Sequence, residues 1–155
     1  MSDSGAPGDA RDAEARYAGF RRGERVDDVC IYLHEEGVGN VEALSELGLR
    51  TGEGVLLVMP GEEGRAAFQR ATSLDPMDFA GMAMDTEGRI DETLRSGECP
   101  DAGDGADHYV KFVFAFAEAH HPEMEGLYAE GDVIHAYAAC ACGTTYSDKW
   151  VANGD

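Results

Sequence analysis

Residues Tyr109 to Ala117 read YVKFVFAFA, so that Val110, Phe112, Phe114 and Phe116 recur at every second position while Lys111 interrupts the other face. That is the period of a half-buried strand, and it commits the chain to building a sheet. After the His120-His121-Pro122 break and a glycine-containing loop, Asp132–Ala141 (DVIHAYAACA) gives a second such run, and Gly143-Thr144-Thr145-Tyr146 then turns the chain toward Trp150. Connections this short cannot hold a crossover helix, so the C-terminal third is expected to form an antiparallel meander.

The remaining segments must supply the rest of the sheet and its cover. Val29-Cys30-Ile31-Tyr32-Leu33 is a compact apolar run between acidic flanks, and its β-branched content favours a buried strand with Cys30 as a small core residue. Asn40 can cap a helix over 41–47 that ends at Gly48, and Val55-Leu56-Leu57-Val58-Met59 reads as a strand covered on both faces. Strand, helix and strand in about 30 residues predict a right-handed parallel crossover, with 29–33 and 55–59 as parallel neighbours. Helices follow over 65–72 and over 76–84, the latter started by Asp75 as N-cap and Pro76 at the first position. Its residues Met77, Met82 and Met84 fit core filling, with an adaptable binding surface as the other reading. Asp85 to Arg95 is expected to continue as a second short helix carrying Ile90 and Leu94. The expected fold is therefore α+β, with a mixed sheet formed by an N-terminal βαβ crossover and a C-terminal antiparallel meander, and helices packed on it. Residues 1–13 lack large apolar side chains and are read as a disordered acidic tail, 14–155 as one domain, with one helical turn expected over 14–23.

Charge narrows the partners. The chain carries 31 acidic against 12 basic residues, a formal charge of −19, and only Lys111 and Lys149 are lysines. Such a field repels phosphate backbones and anionic membranes, which argues against a nucleic-acid partner and leaves a protein partner. At molar salt the Debye length falls to about 3 Å, and the same surface becomes a solubility device of a salt-loving organism. No stretch reaches the roughly 18 apolar residues of a membrane span, and the N-terminus has neither a basic nor an apolar leader region, so a cytoplasmic location is expected. Cysteines at 30, 99, 140 and 142 do not form the framework of a secreted disulfide-rich domain, and reduced thiols are expected.

The segments DVCIYLHEE, LDPMDFAGMAMDTEG, SGECP, FVFAFAEA and YAEGDVIHAYAACACGTTYSDKW together resemble an uncharacterised family of small acidic haloarchaeal proteins of unknown function, over about residues 23 to 150. The resemblance implies a salty environment and brings no reaction with it.

The residues with possible chemistry are Cys99, His120, His121, His135, Cys140 and Cys142. Zinc takes four Cys or His ligands in a tetrahedron, and its usual knuckle is C-x₂-C-G. Cys140-Ala141-Cys142-Gly143 is one residue short of that. On a strand the two cysteines share a face about 6.7 Å apart, so they reach one ion only if the chain curls at Gly143. Cys99, in its Gly-Glu-Cys-Pro turn, is the expected third ligand. His135 is the expected fourth, although its opposite parity requires a bulge, and His121 is the alternative. The competing reading is plain packing, with small cysteines in a strand rich in Ala136, Ala138, Ala139 and Ala141. No P-loop, GxSxG or HExxH is present, and Glu62 and Glu63 stand where a phosphate would bind after Pro60-Gly61. The functional expectation is a non-catalytic soluble binding or adaptor domain of a halophilic archaeon, with or without a structural Zn²⁺ site. The alternative is a small thiol- or metal-dependent enzyme using the same Cys/His group, with Cys99 or Cys142 as nucleophile beside His135 or His121.

Overall fold

A computed structural model of the protein describes residues 6–36, 48–51, 53–100, 108–118 and 132–152, with side chains from residue 14 onward. The apolar runs become strands β1 (Asp28–His34), β2 (Leu49–Arg50), β3 (Gly54–Pro60), β6 (Val110–Glu118), β7 (Val133–Cys140) and β8 (Thr145–Val151). They join in one six-stranded sheet of order β2-β3-β1-β6-β7-β8. Every pairing between these strands is antiparallel. Helices α1 (Ala6–Arg21), α2 (Gly61–Thr72) and α3 (Pro76–Ala83) lie on the sheet, giving a single α+β domain, and two two-residue strands, β4 (Arg89–Ile90) and β5 (Gly97–Glu98), pair as a second small sheet. Among the described residues no helix is long and apolar enough to cross a membrane.

The C-terminal meander is present, but the N-terminal crossover is not. β1 and β3 run antiparallel, from Asp28 opposite Pro60 to His34 opposite Gly54. The cause is β2, which pairs Leu49 with Leu56 and Arg50 with Val55 and so adds one reversal before β3. Thr51 closes that reversal: its N–H donates to the Gly54 carbonyl at 2.8 Å, and its Oγ1 accepts from Gly54 N at 3.1 Å. The helix expected over 41–47 lies outside the described residues. The expected helix over Asp85 to Arg95 is replaced by the β4–β5 hairpin. There the Asp91 carboxylate accepts from Thr93 N at 2.9 Å, and Asp91 N donates to the Ser96 carbonyl at 2.9 Å, so a side chain builds the turn where a helix would have used backbone bonds. α1 starts at Ala6, within the stretch read as a tail, and runs well beyond a single turn.

Alternation along the strands divides the core into two layers. On one face Ile31, Leu33, Leu57, Phe112, Phe114 and Tyr137 meet Phe68 of α2 and Phe79 of α3. Phe68 is the hub, with ring centroids 5.5 Å from Phe79, 5.5 Å from Phe112 and 5.2 Å from Phe114. On the other face Cys30, Tyr32, Val113, Ala136, Ala138 and Cys140 pack under Phe20 of α1 and under Ile90, Leu94 and Cys99 around the hairpin. β6 changes parity once: the register slips between Val110 and Phe112, which sends Val110 to the same face as Val113. This bulge sets the angle at which the chain enters β6, immediately beside the site described next.

Candidate metal centre

The β7–β8 connection is a tight hairpin. Cys140 N donates to the Thr144 carbonyl at 2.8 Å and Gly143 N to the Cys140 carbonyl at 2.9 Å. Gly143 has φ 101°, a left-handed conformation that glycine adopts without the Cβ penalty. The short spacing of C-x-C-G is thus the spacing of this turn, which curls Cys142 back toward Cys140. A second segment enters beside it, since Val110 of β6 pairs with Cys140 and Ala141 N donates to the Tyr109 carbonyl at 2.9 Å, placing His108 next to the turn. Cys99 arrives from the end of β5.

These three segments bring the Sγ atoms of Cys99, Cys140 and Cys142 and a ring nitrogen of His108 all within 4.8 Å of one another. The separations fit a tetrahedral ion. With Zn–S of about 2.3 Å and Zn–N of about 2.0–2.1 Å, tetrahedral edges are about 3.8 Å between two sulfurs and about 3.6 Å between sulfur and nitrogen. The structure has 3.7 Å between Cys99 Sγ and Cys142 Sγ, and 3.4 Å between Cys140 Sγ and His108 Nδ1. Cys99 and Cys140 are buried, and Cys142 is exposed at the rim. Thr144 serves as the outer partner of Cys142, with its Oγ1 3.3 Å from the sulfur. Hydrogen bonding from the Thr144 side chain and backbone stabilises the thiolate and lowers the Cys142 pKa to about 7. Tyr146 forms the floor, its phenol held neutral by burial first and then by the negative potential of Cys140, Cys99 and Cys142. A Cβ on Gly88 would lie 2.5 Å from the Tyr146 ring, and one on Gly97 would lie 2.6 Å from the Arg89 carbonyl and 2.8 Å from Tyr146 Oη. Glycine at both positions is what lets the hairpin bearing Cys99 lie flat against that ring.

Residues 48–153, which contain all four of these side chains, match the model of a family of unknown function, DUF5807. The chain belongs to this family. No curated protein and no solved structure matches it. β1 precedes the segment matched to DUF5807, yet it stands in the sheet between β3 and β6, so the family segment packs on a strand contributed from outside it.

Of the residues singled out in this DUF5807 chain from its sequence, Cys99, Cys140 and Cys142 come together. His135 does not join them. Its parity holds, and it lies on the opposite face of the sheet, stacked on Phe116 with ring centroids 5.1 Å apart and with Nε2 2.6 Å from Glu118 Oε1. The nitrogen beside the thiols belongs to His108, which sequence reasoning missed. The signal was in the register: an antiparallel pair that matches 110 with 140 carries 108 toward 142. His120 and His121 lie outside the described residues. Cys30 is fully buried in the core, and burial pushes its thiol pKa up, as for an inert packing residue.

Proposed function

We propose that the protein is a non-catalytic binding domain in which Cys99, His108, Cys140 and Cys142 hold a structural zinc ion. The observation that carries this reading is the convergence of three thiols and one imidazole nitrogen within 4.8 Å. Three sulfurs and one nitrogen are the donor set of structural zinc, and four protein ligands leave no coordination position for substrate or activated water. The ion would join the ends of β5, β6 and β7, segments separated by 43 residues between Cys99 and Cys142 and by 32 between His108 and Cys140. The −19 charge and the scarcity of lysine support a chain that works in molar salt inside a halophilic cell, and four cysteines not joined in disulfides fit the reducing cytoplasm of such a cell.

Metal analysis of protein purified without chelator tests the reading. One zinc per chain is expected, lost in Cys140→Ser and His108→Ala and kept in His135→Ala. Substoichiometric metal in the parent protein, or full zinc in both the Cys140 and His108 variants, would overturn it.

A further inference from the structure

Helix α3 faces outward with a surface that the fold itself does not use. Phe79, Ala80 and Ala83 fill the core, whereas Met77, Met82 and Met84 are 53%, 51% and 62% exposed. Among the described residues the only other large hydrophobic side chain so exposed is Val26. Three of four such residues therefore belong to one short helix and its cap, which is clustering rather than the scattered exposure that needs no explanation. At 100° per residue, Met84, Met77, Gly81, Asp85, Asp78 and Met82 follow one another around the outer arc, with Gly81 inside it.

Gly81 is the second observation. Glycine within a helix is unfavourable relative to alanine, and it persists where something needs the missing side chain. Among the described residues nothing does: a Cβ built on Gly81 meets no atom outside its own helix backbone within 4 Å, and Gly81 is not among the positive-φ glycines. Gly88 and Gly97, by contrast, would clash at once with Tyr146. A glycine that the described fold does not require, with exposed Met77 and Met84 on one side of it and Asp85 and Asp78 on the other, suits close approach from outside.

We infer that the outer face of α3 is a docking surface for an amphipathic helix of a partner protein, laid across Gly81 with its apolar stripe on Met77 and Met84, its basic flank over Asp85 and Asp78, and Met82 at the far edge of the contact. Methionine is the side chain that moulds to such a stripe. Charge sets the sign of the partner. From Ser73 to Gly88 the chain carries Asp75, Asp78, Asp85 and Glu87 and no Lys, Arg or His, so the flanks of the docking helix are basic. This gives the binding-domain reading its surface and partner class. It rests on the non-catalytic part of that reading and is independent of the zinc.

The test uses the full chain labelled at its methionine methyl groups, titrated with a synthetic peptide of about five helical turns bearing leucine on one face and lysine on the other. A peptide of the same composition in scrambled order is the control, at moderate and at molar KCl. The Met77, Met82 and Met84 methyl signals should shift with the amphipathic peptide only, while the Met59 signal stays. Gly81→Gln should weaken binding by roughly tenfold or more, the loss expected when a central contact is blocked. Gly81→Ala should raise the melting temperature of the free protein, since the position is helical and open. A lowered melting temperature in Gly81→Ala would mean that the fold requires the glycine, and it overturns the inference. So does equal binding of the scrambled peptide, which reduces the effect to net charge. Methyl shifts that follow protein concentration without peptide would make a second copy the occupant, and unmoved methyl signals would mean that no helix docks; either refutes it. The readout is at methionines and not at thiols, so its failure leaves the zinc assignment standing, and a protein without zinc that shows the methyl shifts leaves this inference standing.

Discussion

Zinc removal and return offer the sharpest quantitative test of the metal centre. A ligand that binds only the folded state adds RT ln(1 + [L]/Kd), about 4.1 kcal/mol when free zinc stands 1,000-fold above Kd. For a chain of 155 residues, each kcal/mol moves the melting temperature by about 2–4 °C. Protein stripped with chelator and then resupplied with zinc should therefore melt about 8–16 °C higher, followed by circular dichroism at fixed salt. The quantity to read is the zinc-dependent increment in each variant and not the absolute midpoint. Cys140 is 1% exposed within the core, so Cys140→Ser will lower the midpoint even without metal. Its increment should vanish, and so should that of His108→Ala, whereas His135→Ala should keep it because that ring lies on the other face beside Phe116 and Glu118. An increment below about 2 °C in the parent protein, or an undiminished one in both His108→Ala and Cys140→Ser, would refute the four-ligand assignment.

Other consequences are separately measurable. In metal-free protein an alkylating reagent should modify Cys142 first, since it is the exposed thiol of the four, and zinc should protect it; mass mapping that finds Cys140 modified ahead of Cys142 would contradict the geometry. Gly97→Ala should cost about 1–3 kcal/mol by overpacking against Tyr146 and the Arg89 carbonyl, and a denaturant midpoint equal to the parent would show that the hairpin can lift without penalty. Asp75→Ala should cost about 1 kcal/mol, because its carboxylate accepts from Met77 N at 2.8 Å and Asp78 N at 3.2 Å; unchanged stability would show that the cap is dispensable. If the −19 charge is an adaptation to salt, thermal stability should climb steeply from low to molar KCl, and a flat response would end that reading.

The parts of the fold legible in the sequence are those whose signal is local. The period of two gave β6 and holds over 112–116, breaking at the bulge before Phe112, and Asp75-Pro76 marked the first turn of α3, where Asp75 does cap the helix. The direction of β1 relative to β3 depended on β2, whose two residues carry no periodic pattern. With that strand unseen, a connection of about 20 residues is as compatible with a parallel crossover as with an antiparallel return. The hairpin at 89–98 was obscured for a related reason. Ile90 and Leu94 sit at helical spacing, yet what fixes the segment is distant, with Ile90 N donating to Asp148 Oδ2 at 3.0 Å and Tyr17 Oη donating to the Thr93 carbonyl at 2.6 Å.

The metal centre divides along the same line. Cys140-Ala141-Cys142-Gly143 is local, and the need for the chain to curl at Gly143 was legible from its shortness; the structure curls there with Gly143 at φ 101°. His108 carries no local mark, since the ring reaches Cys140 only because β6 pairs with β7 and slips by one residue at Lys111. Without that slip the residue opposite Cys140 would be Lys111 rather than Val110, and His108 would fall one step farther along the pair. The bulge therefore does two things at once: it sends Val110 into the core and brings an imidazole to the thiols. Deleting Lys111 would remove the extra residue yet keep Val110 opposite Cys140 and His108 opposite Cys142, so the zinc increment should survive it, whereas inserting one alanine between Tyr109 and Val110 should push His108 one step along the pair and abolish the increment while leaving the sheet's circular dichroism intact. Retention of full zinc affinity after the insertion would show that His108 is placed by the residues before it and not by the strand.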